Sequence, residues 1–374
     1  MPVNMMQPQL KPSFKRVSSV ASFSHTGKPL FSVIGPLLAG LFIVSGCSPA
    51  NQTEQLFAEY QAQLSQALEQ QPLPVDPQPM PVMPRANTLR SPIDEASISL
   101  LDSMRLDRCR AGALIAERNS ALGRLRSPSA RLYYEIDLMQ ALKECRQGSV
   151  GDNPRLNEAL TEAITHKVEV LPQWIERVLT NSEELRSALR AHSSPLPPAP
   201  HPDAQSSLDA LTYLADTFEK VHANPEVKVP LEDYRKHFRV LNQSDYLPRF
   251  WRTQQQALAW ISSLNQQLEE AINKSTCVDK EQLQRVHLHY QTHIQPQIAE
   301  WRTTHAELKT QLMRMRDLSS EPRWQTYLNE LAGELSHAEK VHNKTQVHNE
   351  KWNELFTTNC TNNQQTAVRA DFLL

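Results

Sequence analysis

Glycine is scarce in this chain of 374 residues, which contains only nine. Five of them follow residue 47, at positions 112, 123, 148, 151 and 333. Loops that cradle phosphates and turns that expose a catalytic serine both depend on the unusual backbone angles of glycine. No Rossmann, P-loop or G-x-S-x-G pattern occurs in the sequence. The sequence therefore gives no support for a nucleotide-binding fold or for a serine hydrolase with that motif.

No apolar run reaches the length of about 20 residues that a membrane-spanning helix needs. The longest run begins at Leu30 and ends at Ser45, and it is interrupted by Gly35, Pro36 and Gly40. Four basic residues and no acidic residue precede it. A basic leader, an apolar stretch and small residues in this order are typical of a secretory signal peptide.

The sequence VSGC at 44–47, which closes this run, resembles the bacterial lipobox. The resemblance implies a signal peptide over 1–46, cleavage before Cys47, and acylation of both its thiol and its new amino group. Several acyl chains anchor a protein stably, whereas a single chain binds only marginally. Lipoproteins kept at the inner membrane usually carry Asp where this chain has Ser48, so the resemblance implies the outer membrane, facing the periplasm. An ordinary cleaved signal or a retained anchor is the alternative.

The charge of the chain predicts no basic surface. The sequence contains 39 Lys and Arg residues, of which four precede Cys47, so 35 remain against 41 Asp and Glu and give a formal charge of −6. A net negative charge argues against a nucleic-acid partner and against attachment to anionic lipid through a basic face. The acyl group on Cys47 is therefore the predicted link to the lipid bilayer, and no cofactor is expected.

The composition after Cys47 favours helices, because Leu, Ala, Glu, Gln and Arg are abundant between the prolines. Ser-Pro at 127–128 and Asn-Pro at 153–154 each combine an N-cap residue with a first-turn proline. Apolar residues spaced three and four apart over 279–316 and 322–358 predict two long antiparallel helices, the first kinked at Pro296. The predicted fold is all-α, an elongated helical bundle with helical hairpins and this long antiparallel C-terminal helix pair.

Clusters of proline indicate the domain boundaries. Seven prolines between 72 and 92 predict an extended spacer that lifts the body off the membrane, or else a rigid loop packed on that body. A second cluster at 193–202 predicts a boundary between two helical subdomains. The predicted segments are a signal peptide (1–46), a lipidated N-terminus with a Pro-rich tether (47–92), an N-terminal helical subdomain (93–192), a Pro-rich linker (193–203), a C-terminal helical bundle (204–360) and a tail (361–374).

The pattern from the lipobox-like motif through LIAERNSALGRLRSPSARLYYE at 114–135 to Cys360 resembles a family of uncharacterised gammaproteobacterial lipoproteins, domain of unknown function 3080. The most specific part of the resemblance runs from Cys109 to Cys145. No activity is assigned to that family. The resemblance therefore implies an address in the envelope and transfers no catalytic residue.

Four cysteines follow the lipobox-like motif, and an oxidising compartment favours their pairing. Cys109 and Cys145 each lie eighteen residues from Ser127, so an antiparallel hairpin that turns there brings them to the same level. Cys277 and Cys360 lie 42 and 41 residues from the turn between the two long helices. We therefore predict the disulfides Cys109–Cys145 and Cys277–Cys360. The alternatives are the two other pairings and four free thiols.

Two polar clusters could form binding sites. Glu117, Arg118 and Arg131 lie on the two helices of the predicted hairpin, where the arginines could clamp a carboxylate of a ligand or of peptidoglycan. The alternative, an interhelical salt-bridge network, is favoured because structural ion pairs outnumber functional sites.

The second cluster contains histidines. His289 and His293 lie one helical turn apart, and antiparallel pairing of the long helices brings His348 level with them. Such a set could bind a metal such as Zn or Cu in the periplasm. The alternative is a solvated face with wet packing, because no ligand motif of defined spacing supports a metal site.

No catalytic arrangement can be recognised around the serines, cysteines or carboxylates. We therefore predict a non-enzymatic outer-membrane lipoprotein that serves as a helical scaffold or adaptor and binds an envelope protein partner. The alternatives are a periplasmic metal- or small-ligand-binding protein and, less favoured, a cell-wall hydrolase.

Overall fold

The computed structural model describes residues 52–94, 106–120, 123–197, 199–274 and 277–359. The predicted signal peptide, Cys47, Cys360 and the tail lie outside these residues. Helices and no strands occur in the described ranges, which confirms the all-α fold. The α-helices are α1 (Gln52–Ala67), α2 (Arg110–Asn119), α3 (Pro128–Gln147), α4 (Pro154–Asn181), α5 (Glu183–Leu189), α6 (Ala204–Ala223), α7 (Leu231–Gln243), α8 (Tyr246–Lys274), α9 (Lys280–His289), α10 (Gln295–Asp317), α11 (Pro322–Ala332) and α12 (His337–Thr358).

Polar caps fix the start of several helices. The Ser127 side chain accepts a hydrogen bond from the backbone N–H of Ala130 at the start of α3, and Asn153 caps α4 in the same manner. Pro172 lies inside α4 and does not interrupt it. The helix continues to Asn181 because its second half buries a large apolar face, which offsets the backbone hydrogen bond that proline removes. This face includes Leu171, Trp174, Ile175, Val178 and Leu179.

Helix α1 and the Pro-rich segment after it pack on the main hydrophobic core. Phe57 and Tyr60 of α1 are almost completely buried. The side-chain amide of Gln255 in α8 donates a hydrogen bond to the carbonyl of Gln78. Of the two alternatives for this segment, the structure shows the packed loop and not the spacer. Proline has no N–H to satisfy, and the apolar residues between the prolines contact the core, namely Val75, Met80 and Met83.

The segment 193–203 does not separate two subdomains as predicted. Leu196 within it is buried, and its backbone N–H donates a hydrogen bond of 2.8 Å to the hydroxyl of Thr253 in α8. The main core continues across it, from Leu132 of α3 to Leu208 of α6. The described residues between 52 and 359 accordingly belong to one compact unit. A smaller second core lies instead between α2, α3 and the first half of α4, with members such as Leu106, Leu138, Leu142 and Leu160.

Helices α2 and α3 form the predicted antiparallel hairpin. The disulfide Cys109–Cys145 closes its open end, with 5.7 Å between the two Cα atoms. At the turn, a Cβ on Gly123 would lie 2.2 Å from the backbone oxygen of Glu117. Only glycine allows this close approach. The α2 helix begins after Cys109 as N-cap, and a 3₁₀ turn, Leu106–Arg108, precedes it.

The C-terminal helices have the predicted register. The Tyr290 hydroxyl donates a hydrogen bond of 3.0 Å to the side-chain oxygen of Asn349. A π-helical turn, Tyr290–Ile294, joins α9 to α10 just before Pro296, and this wider turn accommodates the missing proline N–H. The second long helix is divided between α11 and α12, where Ser336 caps α12.

Helix α12 has a second partner, α8, which no pattern in the sequence indicates. The Asn265 side chain of α8 donates a hydrogen bond of 2.8 Å to the backbone oxygen of Lys344, and Lys351 forms an ion pair with Glu269. Residue numbers rise together along both helices, so the two run parallel. Asn359, just after α12, exchanges two hydrogen bonds with the backbone of Val278. This brings together the neighbours of Cys277 and Cys360, whose bridge stays a prediction.

Candidate functional site

A cleft of about 650 Å³ lies between the α2–α3 hairpin and α7. We call it the tyrosine cleft, because Tyr133, Tyr134 and Tyr234 line it together with Phe238. Its lining also carries charges of both signs: Glu117, Arg126, Asp137, Glu184, Arg235 and Arg239. Aromatic and arginine side chains are the residue types enriched in protein interfaces.

Ring contacts and one buried hydrogen bond fix α7 against α3. The Tyr234 hydroxyl donates a hydrogen bond of 3.0 Å to the backbone oxygen of Ser129. The ring centroids of Tyr133 and Tyr234 lie 5.8 Å apart, and those of Tyr234 and Phe238 lie 4.9 Å apart. Burial raises the pKa of Tyr234 well above its ordinary value, so its hydroxyl keeps its proton. The two walls of the tyrosine cleft are therefore rigidly joined.

A second, smaller cavity of about 250 Å³ opens at the turn end of the same hairpin. Four arginines line it, namely Arg90, Arg126, Arg131 and Arg177, and we call it the arginine pocket. Its other described lining residues are Gly123, Pro128 and Trp174. No acidic residue is among the described residues that line it.

A buried ion triad lies next to the arginine pocket. Glu135, only 4% exposed, binds the Arg131 guanidinium at 2.7 Å and the Lys167 ammonium at 2.5 Å. The Arg131 guanidinium also lies 4.9 Å from the ring centroid of Trp174, a cation–π contact. Burial lowers the pKa of Lys167, although the neighbouring Glu135 acts in the opposite direction.

The predicted ligand residues Glu117, Arg118 and Arg131 all lie around this end of the hairpin, but they do not form one clamp. Glu117 pairs with Arg126 and lines the tyrosine cleft, whereas Arg131 lines the arginine pocket. Burial, and then the positive charge of Arg131, lowers the pKa of Arg118. Both ion pairs are local, because Arg131 binds Glu135 of its own helix and Glu117 binds Arg126 in the loop before α3.

Arg90 and Arg177 were not recognised from the sequence. Arg90 follows the Pro-rich segment and Arg177 lies in α4, so only the folded chain brings them together. The density of arginine in RLRSPSAR at 124–131 was the available signal, and it marks the other side of the pocket.

A family model described as "Protein of unknown function (DUF3080)" matches residues 57–361. The chain belongs to this family. No curated protein and no solved structure matches the chain. The DUF3080 match includes the packed Pro-rich segment, the hairpin with both cavities and the C-terminal helices.

The predicted metal site of this DUF3080 protein is replaced by a buried hydrogen-bond network around His348. Its Nε2 lies 2.8 Å from the Tyr60 hydroxyl and its Nδ1 lies 2.7 Å from the side-chain oxygen of Asn265. Because the Asn265 amide donates to Lys344, its oxygen faces the ring, and Nδ1 must carry the proton. Nε2 then accepts from Tyr60, whose oxygen in turn accepts from the Trp352 indole at 2.9 Å.

The set His289, His293 and His348 is therefore wrong as a metal site. Both ring nitrogens of His348 are engaged, and burial lowers its pKa to about 3. The rings of His289 and His293 do lie 4.7 Å apart, as helical spacing requires. Among the described residues, however, no group of three or more His, Cys, Asp or Glu side chains could hold a metal ion. The wet-packing alternative also fails for His348, which is completely buried.

The described helices of this DUF3080 protein include none that could cross a bilayer, as each is too short or too polar. The apolar run from Leu30 to Ser45 lies outside the described residues.

Proposed function

We propose that this DUF3080 protein is a lipid-anchored adaptor of the bacterial envelope, which binds a partner protein in the tyrosine cleft and catalyses no reaction. The observation that carries the proposal is the lining of that cleft. Aromatic and arginine side chains contribute most of the binding energy in protein interfaces. Tyr133, Phe238, Arg235 and Arg239 provide both types on one concave surface.

The rigidity of the cleft supports binding. The disulfide Cys109–Cys145 closes the hairpin that forms one wall, and the bond from Tyr234 to Ser129 joins the other wall to it. Association costs free energy when loops and side chains become ordered, so a preorganised surface binds more tightly. The cleft does not need to form when the partner arrives.

The motif VSGC at 44–47 supports the lipid anchor. Gln52, the first residue of α1, follows Cys47 by five residue steps, with four residues between them. An extended chain of that length spans at most about 18 Å. Since the Pro-rich segment after α1 is packed on the core, it does not lengthen this connection. An acylated Cys47 would thus hold the helical body close to the membrane surface.

Mass spectrometry of the protein purified from its native membrane tests the anchor. We expect an N-terminal Cys47 that carries acyl chains, and a Cys47→Ala variant that leaves the membrane fraction. A soluble native protein that begins at another residue, or one that retains 30–46, would contradict the anchor.

Site-specific photo-cross-linking in intact cells tests the adaptor role. A photoreactive phenylalanine at Tyr133 lies in the tyrosine cleft, and the matched control stands at Leu288, which is 62% exposed on α9. We expect a discrete cross-linked partner at position 133 and none at 288. The adduct at 133 should weaken when Arg235→Glu reverses a charge of the cleft. Equal products at both positions, or none at either, would refute a partner site in the cleft.

A further inference from the structure

The geometry of the arginine pocket points to a second binding site, one for a doubly charged phosphate group. The group could belong to a small soluble phosphate ester or to a lipid headgroup, because both present the same oxygen atoms. This site shares Arg126 with the tyrosine cleft but has its own cavity, and the inference does not depend on the adaptor role.

Positive charge is concentrated around the pocket. Besides its four arginines, Arg118 and Lys167 lie close enough for their charges to act on Arg131 or its neighbours. The described contacts place two carboxylates among these six cations, Glu117 on Arg126 and Glu135 on Arg131 and Lys167. An anion with two negative charges would reduce the electrostatic repulsion that remains among these cations.

Arg90 and Arg177 give the strongest support for an anion site, because their described partners are neutral. The Arg90 Nε–H donates to the side-chain oxygen of Asn181 at 3.2 Å, and Arg177 donates to the backbone oxygen of Ser91. Burial and the positive charge of Arg90 lower the pKa of Arg177. A guanidinium has five N–H donors, so each of these arginines can bind its protein partner and still donate to a ligand.

The shape of the pocket fits a small anion better than a large molecule. Its volume of about 250 Å³ is below the range of roughly 300–1,000 Å³ that is typical of pockets for drug-sized ligands. Pro128, the first residue of the 20-residue helix α3, lies in its wall, and a helix N-terminus favours negative charge. The Trp174 ring forms an apolar wall for a carbon atom next to the anion.

Phosphate is the anion that this donor set favours. Guanidinium groups bind phosphate and carboxylate in a bidentate manner. A carboxylate has two oxygens and one charge, whereas a phosphate monoester has three terminal oxygens and close to two charges at neutral pH. A pocket lined by four arginines therefore matches the phosphate better.

Isothermal titration calorimetry at low ionic strength tests the site, on oxidised chain that begins at residue 47 and carries Cys47→Ala. The probes are inorganic phosphate and, as a singly charged carboxylate, acetate. We expect phosphate to bind at least tenfold more tightly than acetate. Arg90→Gln should weaken phosphate binding about tenfold and the double variant Arg90→Gln/Arg177→Gln about a hundredfold, since each removes a charge-assisted donor.

The matched control is Arg285→Gln, an exposed arginine of α9 that lines neither cavity, which should change phosphate affinity less than twofold. Arg90 is itself exposed, so Arg90→Gln tests the site even where the double variant fails to fold. Phosphate binding that is unchanged in Arg90→Gln, or equal for phosphate and acetate, would overturn the inference.

The source of the phosphate is distinguished with two further probes. Glycerol 3-phosphate represents a soluble ester, and phosphatidylcholine vesicles that contain phosphatidic acid represent a lipid headgroup. Binding to either probe that is lost in the double variant supports the site and names the source. Binding to neither would contradict it.

Discussion

Buried polar side chains are neutral in the C-terminal helices but remain charged beside the α2–α3 hairpin. In the first region, His348, Tyr60 and Trp352 form a hydrogen-bond network with no ionised member. In the second, Glu135 is also buried and binds two cations, Arg131 and Lys167. The two regions thus satisfy buried polar groups by different means.

The difference separates the tasks of the two regions. A neutral network fixes the register of α1, α8 and α12 without creating an electric field. Buried charges cost desolvation free energy and are weak evidence for stability. The charges at the hairpin end are therefore better explained by binding than by folding, since they surround a cavity of about 250 Å³.

The largest expected effect is on the hairpin itself. The double variant Cys109→Ser/Cys145→Ser removes a bridge across a sequence separation of 36 residues, which the loop-entropy model values at about 4 kcal/mol. Denaturant unfolding, followed by circular dichroism, should show this loss. A change of less than about 1 kcal/mol would mean that packing alone holds the hairpin closed.

The next effect breaks the buried ion triad. Glu135→Gln leaves Arg131 and Lys167 without their common carboxylate, and removal of one partner from a buried pair costs about 3 kcal/mol. The free energy of unfolding measures the loss. If Glu135→Gln is as stable as the wild type, the triad is solvated and the contrast between the regions fails.

The neutral network predicts a dependence on pH. The pKa of His348 falls to about 3 on folding, against about 6.5 in an unfolded chain. Below pH 6.5 the unfolded chain therefore takes up a proton that the folded protein does not, and stability decreases as the pH falls. From pH 6.5 to pH 4.5 this amounts to about 2 to 3 kcal/mol.

The variant His348→Gln isolates this effect, because glutamine keeps a hydrogen-bonding amide and does not titrate. Over the same interval, the slope of its unfolding free energy against pH should be smaller than that of the wild type. The difference in slope should correspond to close to one bound proton. Equal slopes for the variant and the wild type would show that His348 is protonated in the folded state.

The smallest effect is expected from exposed ion pairs, and it should be the same in both regions. Glu144→Gln loosens an exposed pair with Arg110 on the hairpin, and Glu269→Gln removes an exposed pair with Lys351 in the bundle. Each should cost less than about 0.5 kcal/mol. A larger loss in either variant would show that burial is not what distinguishes the two regions.

The helical fold could be predicted from local signals. N-cap and proline pairs gave the starts of α3 and α4, and equal spacing around Ser127 gave the hairpin and its disulfide. Equal numbers of residues on the two sides of the turn between the long helices predicted their register. The hydrogen bond between Tyr290 and Asn349 shows that register. These features depend on residues close in sequence or on one hairpin, where counting is sufficient.

The candidate site could not be predicted to the same extent. The arginine pocket joins Arg90, from the end of the Pro-rich segment, to Arg177 of α4, and no periodicity relates the two. The histidine site failed because α8 supplies Asn265, which occupies the Nδ1 atom of His348. In both cases a third element packs against two elements whose pairing was predicted correctly. The Pro-rich segment does so at the arginine pocket, and α8 does so at His348.

Hydrogen–deuterium exchange, measured with and without saturating phosphate, tests the central claim most directly. The claim is that the end of the α2–α3 hairpin binds phosphate, whereas the C-terminal helices do not. The measurement uses oxidised chain from residue 47. We predict slower exchange in the first turns of α3 and in the second half of α4, around Pro128 and Arg177, with no change in α12. Unchanged exchange in α3 and α4, or an equal change in α12, would contradict this account.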